Sequence, residues 1–167
     1  MVRARRERHP DGYTQLSKTL ASCGGYIAGS RQLIDILRYS APGFVYSVGL
    51  PPSMASAALA SLNVLAAEPE RVARLRQNGA LFLARSRAEG FDTASAQGLG
   101  IIPIIIGNTF KLGRLEKRLF DRGIVASPIF PPGVPINTGR LRFFVTSEHT
   151  EQDIELAVDA LQQELHG

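Results

Sequence analysis

Lys18 is the residue in this sequence with the most chemistry open to it. It is set among Ser17, Thr19, Ala21, Ser22, Gly24 and Gly25. A primary amine that is deprotonated part of the time attacks an aldehyde to form an imine. Burial or a nearby cation lowers its pKa enough for that. Small neighbours leave room for a flat ring beside the amine, and hydroxyls can hold a phosphate. Taken alone, the same residues also describe a solvated lysine in a Ser/Gly loop, which is what most lysines are. A degenerate phosphate loop is the rival functional reading, since Gly12 and Ser17-Lys18-Thr19 nearly fit the Walker spacing. It fails because Ser17 replaces the required glycine and no apolar strand precedes Gly12.

A second constellation lies near the other end. Residues 140–145 alternate, so Leu141, Phe143 and Val145 face one way and Arg140, Arg142 and Phe144 the other. A guanidinium is a fork that grips a carboxylate through two bonds. An isolated Arg-x-Arg strand more often forms ordinary surface ion pairs. Cys23 has no evident basic partner and reads as a small packing residue rather than a nucleophile. His149, just before a helix cap, reads as structural. No metal-ligand set is assigned.

These residues need elements to position them. Tyr26-Ile27-Ala28 reads as a short strand after the Gly24-Gly25 break. Gln32 to Tyr39 is helical by the spacing of Leu33, Ile34 and Leu37. Phe44 to Ser47 reads as a strand between the turn signals Pro42-Gly43 and Pro51-Pro52. Pro52 to Ala67 is Ala- and Leu-rich and reads as a buried helix. Pro69 opens the next helix, which carries Val72, Leu75, Gly79 and Phe82 on one face and is expected to join two lobes. Gly100 to Ile106 is an expected buried strand. Leu112, Leu115 and Leu119 mark a helix with Gly123 as its C-terminal stop. Ile124-Val125 is expected to start a strand, and residues 128–135 to form a rigid Pro-rich loop. Thr150 and Asp153 form a capping box for the last helix. Strands and helices mix, giving an α/β fold with antiparallel pairing in the last module.

The bulk numbers exclude several classes. Of the formal charge of +4 over 167 residues, +3 falls in the first eight, so the basicity is a tail and not a nucleic-acid-binding face. No segment approaches a membrane span, because the strongest apolar run, Ile101 to Ile106, is short and carries Pro103. A single cysteine makes no internal disulfide, which fits the cytoplasm. The charged start has no apolar stretch after it and is not a secretory signal.

Three blocks, in order along the chain, carry a family resemblance. They are residues 16–29, LSKTLASCGGYIAG; residues 41–52, APGFVYSVGLPP; and Val134-Pro135 with Arg140-Leu141-Arg142-Phe143 and His149-Thr150. From Thr14 to the end the chain resembles the C-terminal half of the α-oxoamine synthase family. The resemblance implies the fold of PLP-dependent (pyridoxal 5'-phosphate) transferases of fold type I. Residues 14–66 would be the end of the large domain, 67–90 a connecting helix and 91–167 the small α/β domain, after a foreign or unstructured tail over 1–13. It implies condensation of an amino acid with an acyl-CoA on PLP, in a homodimer. Lys18 would hold the cofactor and then work as base and acid. Arg142 would grip the substrate carboxylate, with Arg140 in reserve. Ser47 would reach a phosphate across the dimer interface. A class I/II aminotransferase shares this lysine and arginine and is the alternative.

The sequence departs from the family at named places. Gln15 stands where a cofactor-bonding threonine is expected, and Thr14 is the nearest hydroxyl, one residue early. Val48 stands where threonine is frequent. Before Thr14 the chain offers Arg8 to Tyr13 in place of the expected lead-in. Read one base later, those codons can encode it, which points to a frameshift that nucleotide sequence upstream decides. The half expected to stack on the ring and pair its nitrogen is missing here. The chain is therefore expected to be a truncated, inactive share of such an enzyme. The remaining alternative is a non-enzymatic remnant, or a subunit that pairs with a complete partner.

Overall fold

The computed structural model describes residues 12–166, leaving aside the side chains of Thr14 and His166. Most of the expected tail, and most of the lead-in where a frameshift is expected, lie outside the described residues. The chain mixes helices with strands, as expected, and divides into two compact units, one ending at Glu68 and one starting at Pro69.

The first unit opens with strands β1 (Gly12–Gln15) and β2 (Gly25–Ala28), paired antiparallel with Thr14 opposite Tyr26. The loop between them is closed by backbone bonds. Leu16 N–H donates to Gly24 O at 2.9 Å, Ser22 N–H to Leu16 O at 3.0 Å and Ala21 N–H to Lys18 O at 2.9 Å. Gly24 takes φ +94°, and a Cβ there would meet Leu50 Cδ1 at 3.1 Å, so both conformation and space select glycine. Helix α1 (Arg31–Ser40) is capped by Ser30, whose hydroxyl accepts from Leu33 N–H at 3.2 Å. Leu33, Ile34 and Leu37 are its half-buried face, as their spacing predicts.

Of the strand expected over Phe44 to Ser47, Phe44 and Val45 instead belong to α2 (Pro42–Val45), a single helical turn that Tyr46 and Ser47 follow. Aromatic and β-branched residues favour a strand, but among the described residues no partner strand forms. Pro42 sets a helical φ at the first position, and Ala41 O accepts from both Phe44 and Val45 N–H at 2.9 Å. Helix α3 (Pro52–Ala67) has the expected bounds but not the expected burial: of its residues only Ala58 is buried.

The second unit holds α4 (Pro69–Ala88), β3 (Ile101–Gly107), α5 (Thr109–Asp121), β4 (Ser127–Ile129), β5 (Gly139–Phe144) and α6 (Glu151–His166). The sheet order is β3-β5-β4 and all pairing is antiparallel, as expected of this module. The strand after Gly123 begins at Ser127, later than the sequence suggests. Gly123 does take the left-handed φ, +80°, that stops α5. Ile102, Ile104, Leu112, Leu119, Leu141, Val158 and Leu161 form a dry core, with Phe82 and Phe143 rings 4.9 Å apart beside it. Helix α4, expected as a connector, packs against β3 and α6. Arg85 bonds Glu155 of α6 at 2.5 Å.

Candidate active site

The lysine loop and the arginine strand belong to different units. Lys18 sits in the β1–β2 loop with its side chain exposed, and its Nζ lies 3.4 Å from Ser17 Oγ. The bonds that close the loop fix its backbone, and the exposed amine donates only to the neighbouring Ser17 hydroxyl among the described residues. A cleft of about 310 Å³ opens beside it, lined by Tyr13, Gln15, Lys18, Thr19 and Leu20. Ser22 Oγ donates to Met54 O at 2.6 Å and so ties the loop to the first turn of α3. Thr14 is in β1, and its side chain lies outside the description. Ser47 follows α2, with an exposed hydroxyl that accepts from Gly49 N–H at 3.1 Å. Cys23, expected as a packing residue, is exposed and free.

In the second unit β5 puts Leu141 and Phe143 into the core, and alternation puts Arg140 and Arg142 on the opposite face, half-buried. Arg142 lies between Pro103 of β3 and Ser127 of β4, and Arg140 between Ile105 and Ile129. Among the described residues neither arginine forms an ion pair. Arg140 Nε donates to Thr138 O at 3.1 Å. The Arg142 guanidinium lies 5.5 Å from the Phe144 ring centre, and its buried Nε has no partner among the described residues. A buried donor left unsatisfied costs stability until an acceptor reaches it. This separates the two arginines in a way the alternation does not.

His149 has a structural role here. Its Nδ1 accepts from Thr146 N–H at 3.2 Å, and its carbonyl accepts from Asn78 Nδ2 at 2.7 Å. Asn78 Nδ2 also donates to Thr146 O at 2.9 Å, which fastens α4 to the chain between β5 and α6. Sequence reasoning passed over Asn78, an isolated polar residue in an amphipathic helix with no spacing signal. The capping box forms as expected: Asp153 carboxylate accepts from Thr150 N–H at 2.8 Å and from Thr150 Oγ1 at 2.7 Å. The Thr150 backbone bond, then its hydroxyl, hold the Asp153 carboxyl below the usual aspartate range, and the nearby His149 adds to the effect.

Known proteins bear on both constellations. The family model described as Aminotransferase class I and II matches residues 13–161. The 8-amino-7-oxononanoate synthase of Symbiobacterium thermophilum is 38% identical over 145 residues, 87% of this chain and 37% of that protein. The chain thus spans less than two fifths of that relative's length. The solved 8-amino-7-oxononanoate synthase of Francisella tularensis is 26% identical with a TM-score of 0.81, over 92% of this chain and 44% of that one. A serine palmitoyltransferase structure with PLP as its internal aldimine superposes with a TM-score of 0.84 at 22% identity, over 92% of this chain and 39% of that one. These likenesses place the fold among PLP-dependent transferases of fold type I. No helix among the described residues is long and apolar enough to cross a membrane.

Proposed function

The chain belongs to the aminotransferase class I and II family, and from that membership we propose that it is the lysine-bearing share of a PLP-dependent acyltransferase that joins an amino acid to an acyl-CoA. The observation that carries the reading is the Lys18 loop, with its backbone held by three bonds and its amine exposed beside an open cleft. The donor set fits the cofactor in part. Lys18 supplies the amine, and Ser17 and Thr19 supply hydroxyls beside it. Ser47 and Thr14 are the further phosphate contacts we propose, Ser47 across the interface of a homodimer. Among the described residues of the first unit the acids are Asp35 and Glu68. Neither lines the cleft beside Lys18, so the carboxylate for the ring nitrogen has to come from elsewhere.

PLP, when bound, supplies an electron sink for the charge left at the substrate α-carbon. Lys18 would hold it, and the Lys18 amine would take and return the proton at that carbon. Arg142 holds the substrate carboxylate, a reading supported by its unsatisfied Nε, and Arg140 is the reserve. The setting is the cytoplasm, where Cys23 stays reduced.

The test is to add PLP to the chain, follow the visible absorbance, reduce with borohydride and map the modified lysine. Labelling confined to Lys18 is the expected result. No absorbance, or label spread over Lys18, Lys111 and Lys117, overturns the reading. The family description also favours a second reading, an aminotransferase. Coenzyme A release against keto-acid formation, measured with the rest of the site present, separates the two. A third reading is a subunit that only pairs with a complete partner, which co-purification with a full-length relative tests.

A further inference from the structure

Helix α5 turns Leu112, Leu115 and Leu119 into the core, and that fixes what its other sides present. Lys111, Arg114, Arg118 and Arg122 follow one another at three- and four-residue steps, so they run along one outward side to the end of the helix. Their partners are unequal. Glu164 of α6 is shared by Arg118 and Arg122, each at 3.3 Å, and Gln163 accepts from Arg122 at 2.9 Å. Lys117, away from this side, is paired with Asp121 at 3.0 Å. Lys111 and Arg114 have no acidic partner and no side-chain hydrogen bond among the described residues. A depression of about 560 Å³ opens here, with Phe110, Lys111, Arg114, Arg118 and Glu164 among its walls. Phe110 is 85% exposed, a ring the core does not use. Crowded cations that share one carboxylate repel each other, and an anion between them relieves the repulsion. A guanidinium fork and an ammonium both suit a phosphate, and an exposed ring offers a face to a flat base. The volume fits a ligand of nucleotide size rather than a polymer.

We propose that this depression is a binding site for a phosphorylated purine compound, with the phosphates held by Lys111 and Arg114 and the base stacked on Phe110. Two sources share that chemistry: a free nucleotide such as ATP, and the adenosine end of coenzyme A. The site lies wholly in the second unit. The inference does not rest on the Lys18 chemistry proposed above, and its test reads neither cofactor binding nor turnover.

The test is calorimetric titration of the whole chain with ATP, coenzyme A and inorganic tripolyphosphate, at physiological ionic strength, where loose surface attraction is screened. Saturable binding of one ATP or one coenzyme A per chain is expected. Tighter binding of coenzyme A assigns the carried adenosine end, and tighter binding of ATP the free nucleotide. Arg114→Gln and Phe110→Ala each weaken binding about tenfold, while Lys117→Gln leaves it unchanged. Glu164→Gln removes the competing carboxylate and tightens binding about threefold, a gain that misfolding cannot produce. Binding of neither compound overturns the proposal. So does tripolyphosphate bound as tightly as ATP, or binding that Arg114→Gln and Phe110→Ala leave intact.

Discussion

At Gly79 the backbone of α4 meets that of Gly98 and Leu99, and an added Cβ would run into the Gly98 carbonyl oxygen. Two effects oppose each other in Gly79→Ala. Alanine gains about 1 kcal/mol of helix propensity. Overpacking against backbone that has no rotamer to yield costs about 1–3 kcal/mol. The clash is expected to win, and a lower urea midpoint for Gly79→Ala checks it. Asp153 gives a prediction in pH. Its folded pKa is depressed, so its contribution is full above the ordinary aspartate range and is lost as pH falls through the lowered value. The gap in urea midpoint between the native chain and Asp153→Ala should be wide at pH 6 and close in acid. A gap that persists at pH 2 would mean that the carboxylate charge is not what caps α6.

Caps and latches decide whether the helices of the second unit hold their places. Asn108 Oδ1 accepts from Lys111 N–H at 2.9 Å at the start of α5, and Asn108→Ala should cost about 1 kcal/mol in denaturant unfolding. Asn78→Ala removes two bonds to the segment before α6 and should cost about 1–3 kcal/mol. These numbers also mark what the sequence made legible. Periodic stripes announced α1, α4, α5 and α6, and alternation announced β5 and the face shared by Arg140 and Arg142. Phe44 to Ser47 misled because residue preference is weaker than a proline-set turn without a strand partner. Asn78 and the closure of the Lys18 loop were invisible because they depend on contacts between distant or backbone groups, which spacing does not record. The exposure of α3 was hidden for another reason: composition says that a helix wants burial but does not say what buries it.

At the scale of the whole molecule, the core is unevenly shared between the units. The second has a dry apolar interior from Phe82 to Leu161, and the first has almost none. Limited trypsin digestion should therefore cut early after Lys18, Arg31 and Arg38 and leave a persistent product containing residues 72–166. Mass spectrometry over a time course checks this. Equal survival of both units would mean that residues 12–68 are as stable as the rest. Family membership and fold rest on the whole matched length, whereas the proposed chemistry rests on a few side chains of each unit.

The exposed thiol of Cys23 has a practical consequence. It is the chain's single cysteine, five residues beyond Lys18 in the same loop. A nitroxide attached there needs no engineered site and no removal of competing thiols. Its paramagnetic resonance line shape would follow the mobility of the lysine loop directly, sharp while the loop tumbles freely and broad once it is held.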